Sequence, residues 1–387
     1  MSILFLVLTA LGLALTVNAL APLPRRGPWP PWVPALFVGE LALFHGAVHL
    51  FVAVAFVALG AGGGWAGRAA LVITVVAVAG TLALQANALA VKRVLERAAA
   101  DLLGEPVQLP RLSLGRVLLP TVRVPGGLEV AADLRYGPDP AQLVDRYRRR
   151  DGADPAPAVI QVHGGGWTGG CRGRQARPLL HHLAVQGWVV FEMTYRLSPK
   201  ATFPDQLDDV RRALDWVRST ADDHGVDPSF LALTGGSAGG QMAALAALDP
   251  GGPPVQACIP LYGVHDLLDE DGGPLWPYLA SHVLKVRPED DPGAWKAASP
   301  VRSAHADRPP FLVVHGARDA LVRPDHSRRL VKALRAAGGP GVGLAEIPGA
   351  THGFDSIPSV RSIRLADAVL EVLERLREQQ SVMRDER

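Results

Sequence analysis

The sequence predicts an α/β protein, with a mostly parallel sheet covered by helices on both faces and preceded by three transmembrane helices. The first observation is the distribution of charge, since the chain of 387 residues holds 39 Lys and Arg and 37 Asp and Glu. Only four of these lie within residues 1–91, namely Arg25, Arg26, Glu40 and Arg68. The second observation is that short β-rich runs alternate with runs of helical periodicity after about residue 121, which is typical of parallel sheets.

Three apolar segments lie in the N-terminal block, and each is long enough to cross a bilayer. About 20 residues that rise about 1.5 Å each span a hydrocarbon layer of about 30 Å. The predicted spans are residues 2–21, 35–59 and 69–91. The predicted divisions of the chain are a membrane anchor over 1–97, a connector over 98–120 and a globular domain with the candidate catalytic residues over 121–387.

Basic residues predict the orientation of the anchor. Arg25 and Arg26 follow the first span, and Lys92, Arg93 and Arg97 follow the third. Both of these regions are therefore expected to face the cytoplasm. The chain is therefore predicted to be integral to the plasma membrane, with its globular domain on the cytoplasmic face. The alternative for the first segment is a cleaved signal peptide, but it lacks a positive n-region and its apolar run exceeds the usual h-region.

Three polar residues, Glu40, His45 and His49, interrupt the second predicted span. His45 and His49 are four residues apart and share a helix face, a spacing that could hold a metal ion or haem. Glu40 lies about 180° round the helix from His49, so the three side chains do not converge. We therefore expect them to face other spans, and we predict no metal site and no cofactor.

The globular part contains runs that predict seven strands and four helices. The predicted strands are residues 128–136, 158–162, 188–194, 230–234, 255–261, 311–315 and 343–347. The predicted helices are residues 204–220, 238–248, 327–337 and 360–378. Residues 268–305, with Trp276 and Trp295, are predicted either to form a short lid over an apolar pocket or to pack in the core. In open sheets of this kind, functional groups lie at the carboxyl ends of the strands.

A G-x-S-x-G pattern lies between a predicted strand and a predicted helix, with Ser237 at its centre. The turn has to be tight to lift the serine hydroxyl clear of the backbone, and Gly235 and Gly239 leave room for this. The following helix directs its N-terminus toward the reacting group. Ser237 is therefore the candidate nucleophile.

A serine nucleophile needs a base, and the base needs a third group that fixes its tautomer. Asp319 lies just past one predicted strand, and His352 lies just past the next. The order Ser, Asp, His is the one expected when the serine lies on a tight turn between strand and helix. Each residue alone could be an ordinary loop residue, but the three together predict a catalytic triad.

A run of three glycines, residues 164–166, follows a predicted strand. Because glycine has no Cβ, backbone N–H groups can approach a developing negative charge. Gly164, Gly165 and Ala238 are predicted to donate hydrogen bonds to an oxyanion. A phosphate-binding loop is the alternative, but no G-K-[ST] follows, which excludes a Walker loop. Trp167 comes directly after the glycines and is predicted to line the substrate pocket.

Together these motifs resemble the α/β-hydrolase superfamily and, more narrowly, the hormone-sensitive-lipase-like carboxylesterases and the related BD-FAE-like esterases. The resemblance covers about residues 128–376 and depends on residues 163–167, 195–199, 203–204 and 235–240 and on the Asp319 and His352 segments. Gly236 stands where hormone-sensitive-lipase-like members usually carry Asp, which favours the BD-FAE-like side. The three N-terminal spans are similar to the anchors of some actinobacterial membrane esterases.

The resemblance implies the α/β-hydrolase fold and a role for each residue of the triad. Ser237 would be the nucleophile, His352 the general base and acid, and Asp319 the acid that orients the histidine. The resemblance also implies that the segment around Tyr195 packs beneath the oxyanion loop. We predict that Tyr195 borders the substrate pocket together with Trp167.

The leading interpretation is a membrane-anchored serine carboxylesterase or lipase that forms an acyl-enzyme intermediate. Its expected partners are the lipid bilayer and an ester substrate, either lipid-like or an acylated small molecule. The motifs leave open a serine peptidase or an arylformamidase-type amidase on the same fold, and a non-catalytic, ligand-binding membrane protein. Nucleic-acid binding is excluded, because the globular part is formally neutral and shows no basic stripe.

Overall fold

The computed structural model describes residues 1–22, 32–118, 123–153, 155–268 and 275–385. Its N-terminal helices are α1 (Ser2–Leu20), α2 (Trp32–Glu40), α3 (Ala42–Ala58) and α4 (Gly64–Leu103). Arg25 and Arg26, on which the predicted orientation partly depends, lie outside the described residues.

The remaining described residues contain nine helices and eight strands. The helices are α5 (Leu114–Leu118), α6 (Arg177–Val185), α7 (Asp205–Ser219), α8 (Ala221–His224), α9 (Ala238–Ala247), α10 (Trp276–Tyr278), α11 (Pro292–Ala297), α12 (Asp325–Ala337) and α13 (Val360–Asp385). The strands are β1 (Leu128–Arg135), β2 (Leu143–Arg149), β3 (Ala156–Val162), β4 (Val189–Met193), β5 (Val226–Gly236), β6 (Ala257–Leu261), β7 (Phe311–Gly316) and β8 (Val342–Ile347). Short π- and 3₁₀-helical turns cover Leu279–Val283, Pro300–Arg302 and Phe354–Ser356.

The described strands form one sheet in the order β1-β2-β4-β3-β5-β6-β7-β8. The pairs β1–β2 and β2–β4 are antiparallel, and the pairs from β4 to β8 are parallel. The strands β3 and β4 and the last seven residues of β5 are fully buried, as expected for central strands covered on both faces. This arrangement confirms the predicted sheet with helices on both faces.

Helices cover the sheet from both sides. Residues of α7, α9 and α12 share one buried apolar cluster, and residues of α6 and α13 share the other. The last turns of α4 belong to this second cluster through Leu95, Ala98 and Leu102, which are at most 5% exposed. A Cβ on Gly343 of β8 would overlap the carbonyl oxygen of Ala98, so glycine is what allows α4 to lie this close.

The continuity of α4 differs from the predicted division of the chain. The predicted third span, residues 69–91, lies inside α4, but the helix continues without a break to Leu103. The predicted boundary between residues 97 and 98 therefore falls within a helix, and residues 98–103 pack on the sheet instead of forming a connector. The physical reason is that this stretch keeps apolar side chains at helical spacing, and those side chains are buried against the sheet.

The N-terminal helices α1, α3 and α4 form a bundle in which α3 runs antiparallel to the other two. Phe5, Ala53 and Ala70 pack together at one end of it, and Ala19, Ala42 and Leu84 lie in a second cluster at the other end. The outer surface is strongly apolar, with Phe51 73% exposed. By length and composition, α1 and α4 are candidate membrane spans, and α2 with α3 is a third only if the pair is taken as one bent span.

A bend of 86° between α2 and α3 differs from the single helix predicted over residues 35–59. The break lies next to Glu40, whose carboxylate is buried and pairs with Arg361 of α13 at 3.2 Å. A carboxylate in an apolar segment has to find a partner, and here the partner lies on the globular domain. His45 and His49 stay in the bundle, where their Nε2 atoms are 3.2 Å apart and the Oγ1 of Thr16 lies 3.1 Å from His45.

Candidate active site

Ser237 lies on the tight turn between β5 and α9. Its backbone angles are φ 56° and ψ −120°, a strained conformation that non-glycine residues adopt mainly where the surrounding structure requires it. The Ser237 amide donates to the Leu261 carbonyl oxygen of β6 at 2.9 Å. A Cβ on Gly239 would overlap the carbonyl oxygen of Val162, so the glycine after the turn lets α9 approach β3. The side chain of Ser237 is partly exposed, at the carboxyl end of the sheet.

The structure brings His352 and Asp319 to this serine. The Nε2 atom of His352 lies 3.0 Å from Ser237 Oγ, and its Nδ1 atom lies 2.7 Å from Asp319 Oδ2. A carboxylate can only accept, so Nδ1 carries the proton and Nε2 is the acceptor for the serine hydroxyl. The other carboxylate oxygen, Oδ1, accepts from the amides of Leu321 and Val322 at 2.9 Å each.

The charge of Asp319 is maintained by its neighbours. Burial by itself raises the pKa of this carboxyl, but His352 and His315 lower it by more, so the net pKa lies below its usual range. The group is therefore an ionised acceptor at neutral pH. This is the state that a residue needs if it is to orient a histidine and stabilise the imidazolium.

His315 is a supporting residue that was missing from the predicted site. It is fully buried at the end of β7, and its Nε2 atom lies 2.9 Å from the Val322 carbonyl oxygen and 3.4 Å from Asp319 Oδ2. The carbonyl oxygen can only accept, so Nε2 carries the proton, and Nδ1 accepts from Ser327 Oγ at 2.7 Å. The sequence signal was its position four residues before Asp319.

The glycine loop after β3 lies beside Ser237, but its first amide is already occupied. The Gly164 amide donates to the side-chain oxygen of Gln175 at 2.7 Å, which differs from the prediction that it is free for an oxyanion. Gln175 was not predicted, because it lies in an irregular loop with no motif. Gly165 and Gly166 have positive φ angles of 132° and 61°. Within the described part of the chain, the amides of Gly165, Gly166 and Ala238 donate no hydrogen bond.

Trp167 and Tyr195 are both buried beneath this loop. The indole of Trp167 is 4% exposed and donates to Gln241 of α9 at 3.2 Å. The phenol of Tyr195 is 1% exposed, donates to the His163 carbonyl oxygen at 3.1 Å and stacks on the His163 ring with centroids 4.4 Å apart. The structure gives both side chains contacts with the core and the loop, and their contact with a substrate stays a prediction.

The predicted lid, residues 268–305, is described except for residues 269–274. Tyr278 covers the glycine loop from this segment, since its hydroxyl donates to the Gly166 carbonyl oxygen at 2.7 Å. Trp295 is fully buried and donates to the Val286 carbonyl oxygen at 3.1 Å, and Trp276 packs against it with ring centroids 5.9 Å apart. Trp295 therefore belongs to the core, the partly buried Trp276 packs against it, and Tyr278 contacts the glycine loop.

Two aromatic rings contact the imidazole of His352. Tyr262, directly after β6, lies edge-on with ring centroids 4.7 Å apart, and its hydroxyl is hydrogen-bonded to the buried Asp355. Trp32, the first residue of α2, lies at a centroid distance of 5.7 Å and an interplanar angle of 78°. Neither contact had a sequence signal, because both join segments far apart in the chain.

The position of Ser237 on the turn after a central parallel strand, in a sheet of this order, defines the class of protein as an α/β-hydrolase. The chain has the α/β-hydrolase fold. Its residues 144–334 match the family model described as BD-FAE, which agrees with the resemblance found in the sequence. Among the described residues, no group of three or more His, Cys, Asp or Glu side chains could hold a metal ion.

Comparisons with known proteins agree with this class. Esterase LipQ of Mycobacterium tuberculosis is 42% identical over 258 residues, which cover 62% of this chain and 61% of LipQ. The probable carboxylic ester hydrolase LipM of the same organism is 38% identical over 279 residues, which cover 65% of each chain. The chain therefore spans less than two thirds of the length of either relative.

Solved structures with similar folds include two esterases. Esterase B from Lactobacillus rhamnosis has a TM-score of 0.59 and 25% identity, and the match covers 68% of this chain and 90% of that one. The propionate-bound esterase Est2 from Thermogutta terrifontis has a TM-score of 0.52 and 27% identity, with coverage of 69% and 97%.

Proposed function

We propose that this protein is a membrane-anchored serine carboxylic-ester hydrolase. The observation that carries the proposal is the hydrogen-bonded series Ser237–His352–Asp319, with distances of 3.0 Å and 2.7 Å, beside free backbone amides. The names of LipQ, an esterase, and LipM, a probable carboxylic ester hydrolase, support the same chemistry.

The proposed reaction has two halves. His352 Nε2 takes the proton of Ser237 Oγ while the oxygen attacks the ester carbonyl carbon, and the carbonyl oxygen becomes an oxyanion. The intermediate collapses as His352 gives that proton to the departing alcohol oxygen, and an acyl-enzyme remains. Water, deprotonated by the same histidine, then attacks the acyl carbon. The bond from that carbon to Ser237 Oγ breaks, His352 returns the proton to Oγ, and the carboxylic acid leaves. Asp319 keeps Nδ1 protonated throughout and stabilises the imidazolium.

We assign the oxyanion to the amides of Gly165 and Ala238, with Gly166 as a further donor. These amides have no competing acceptor among the described residues, and Ala238 directly follows the nucleophile in the chain. Loss of one donor in such a site typically raises the barrier by about 2.7–4 kcal/mol. Gly164 contributes indirectly, since its bond to Gln175 holds the loop in place.

Gln175→Ala is expected to lower kcat for ester hydrolysis about threefold to tenfold, with a smaller change in KM. The variant loses one hydrogen bond, a contribution of about 0.5–1.5 kcal/mol, at a loop whose amides stabilise the transition state. Steady-state kinetics measure the change, and Gln186→Ala, an exposed glutamine at the end of α6, is the matched control. Equal kinetics for the two variants would contradict a role for Gln175 in positioning the loop.

The proposed anchor comprises three spans that cross the bilayer as α1, the bent pair of α2 and α3, and the first part of α4. The two clusters at opposite ends of the bundle support this, because each contains a residue from all three spans. With three crossings the N-terminus and the globular domain lie on opposite sides. Lys92, Arg93 and Arg97, where α4 leaves the apolar stretch, support the cytoplasmic face of the plasma membrane for the domain.

The substrate class follows from the same placement. An ester that is lipid-like, or a small molecule with an attached acyl chain, concentrates at the membrane to which the site is tied. The proposed chemistry uses no metal and no organic cofactor.

Reaction with a fluorophosphonate probe tests the proposed function. The full chain is purified in detergent, because α4 packs on the sheet and the globular part is not separate from it. We expect one probe bound per chain, at Ser237, and turnover of p-nitrophenyl acyl esters that falls as labelling proceeds. Labelling without ester turnover, or faster cleavage of a matched amide, would overturn the esterase assignment.

A further inference from the structure

One stripe of α2 faces the globular domain. Trp32, Leu36 and Glu40 follow one another at intervals of four residues and therefore share a face of the helix. Trp32 contacts His352, Leu36 is 7% exposed within the cluster that contains the helix α13, and Glu40 pairs with Arg361. The apolar N-terminal block thus reaches the catalytic histidine directly.

Hydrogen bonds at the Glu40 end of the stripe stabilise the contact between Trp32 and His352. Arg361 is fully buried, and it donates to Gly39 at 3.0 Å and to Pro348 at 2.9 Å through their carbonyl oxygens. Pro348 begins the loop that carries His352. The same guanidinium therefore binds the end of α2 and the histidine loop, which fixes Trp32 relative to the imidazole.

The side of the site that Trp32 borders follows from the reaction. In the proposed mechanism His352 Nε2 gives its proton to the departing alcohol oxygen, which has to lie within about 3 Å of that nitrogen. The acyl carbonyl oxygen lies instead at the amides of Gly165 and Ala238. The alcohol part of the ester is therefore on the His352 side, where the Trp32 ring lies half-buried.

Resting on the proposed function, we propose that Trp32 is a specificity-determining residue that forms the wall for the alcohol part of the ester. The preferred substrates then carry an apolar alcohol, of the kind that resides in a bilayer. The wall belongs to α2, which meets α3 of the bundle at 86°. An ester with an apolar alcohol part that leaves the membrane therefore reaches the site along α2, the helix that links the bundle to the globular domain.

Two series of esters in detergent test this proposal on the full chain. The first keeps a butyryl group and lengthens the alcohol from ethyl to octyl, and the second keeps ethanol and lengthens the acyl chain from butyryl to octanoyl. In Trp32→Ala we expect the ratio of kcat/KM for octyl over ethyl butyrate to fall about tenfold. The ratio for ethyl octanoate over ethyl butyrate is expected to keep its wild-type value.

Matched variants distinguish the wall from a general effect on folding. Trp32→Phe keeps an aromatic ring and is expected to retain most of the alcohol preference, with Trp32→Leu intermediate. Trp65→Ala is the control, since this tryptophan is 74% exposed at the opposite end of the bundle. If Trp32→Ala does not fold, the same proposal is tested by the octyl-to-ethyl ratio of kcat/KM, which is expected to fall in the order wild type, Trp32→Phe, Trp32→Leu.

Three outcomes would overturn the inference, and they are distinguishable. If the wild type hydrolyses esters and the Trp32 variants keep its alcohol preference, Trp32 has no role in specificity. The proposed function then remains intact. A wild-type protein that hydrolyses no ester of either series removes both. An equal loss in the two series would also count against the wall, because it would indicate that Trp32 only holds the imidazole.

Discussion

Ser237→Ala is expected to lower kcat for ester hydrolysis by about 10⁶-fold, the size of effect that removal of a serine nucleophile has in a triad enzyme. Within the described ranges of the chain, Ser237 is the one hydroxyl within hydrogen-bonding distance of His352 Nε2. The fold is expected to persist, since alanine adopts the same backbone angles and the Ser237 amide still bonds to Leu261. Steady-state hydrolysis of p-nitrophenyl esters, together with fluorophosphonate labelling, measures both consequences.

Ser219→Ala is the matched control for this substitution. Ser219 is an exposed serine at the end of α7 whose hydroxyl donates only to Trp216, one turn before it. Its rates and labelling are expected to equal those of the wild type. Retention of more than about a thousandth of the wild-type kcat in Ser237→Ala would reject the covalent mechanism, because so much activity requires another nucleophile.

The parts of the site that the sequence predicted are those that local chemistry determines. Gly235 and Gly239 around Ser237 are compatible with one kind of turn, and the strands that precede Asp319 and His352 are short apolar runs with clear ends. In a parallel sheet those ends meet at one edge, so three residues far apart in the chain could be placed together without coordinates.

Some elements were missed because their sequence pattern is weak. The strand β2 lies next to the edge of the sheet and has Asp145 and three arginines among its seven residues. With so many charged residues, its sequence lacks the apolar run that predicts a strand. The helix α6 begins at Arg177 after a loop and has only nine residues. Neither weakness affects the site, which lies farther along the sheet.

The contacts missed at the site depend on tertiary packing. The hydrogen bond from Gly164 to Gln175 depends on the path of an irregular loop, and the spacing of apolar residues in the sequence does not predict that path. The contact of Trp32 with His352 depends on the direction of α2, which the bend after Glu40 determines. Glu40 itself was noticed as a carboxylate in an apolar segment, but its partner on α13 was out of reach of any sequence argument.

Arg361→Met is expected to reduce the free energy of unfolding by about 3–5 kcal/mol, because it leaves a buried carboxylate without its partner. The Glu40 carboxylate retains only its bond from Ser359 at 2.7 Å. The carbonyl oxygens of Gly39, Leu84 and Pro348 each lose one hydrogen bond as well. Since Pro348 begins the His352 loop, we also expect slower fluorophosphonate labelling of Ser237 in the protein that remains folded.

Arg375→Met on the same helix separates a buried ion pair from an exposed one. Arg375 pairs with Glu105 at 3.0 Å, but both side chains are about 40% exposed, so its loss is expected to change stability by at most about 1 kcal/mol. Denaturant unfolding in detergent, followed by tryptophan fluorescence, compares the two variants. Glu40→Gln, which keeps an acceptor but removes the charge, is expected to lie between them. A free energy of unfolding for Arg361→Met that is no lower than that of Arg375→Met would contradict this prediction. The Glu40–Arg361 pair would then not be what holds the N-terminal helices to the histidine loop. The position of Trp32 would depend on the apolar packing of Leu36 alone.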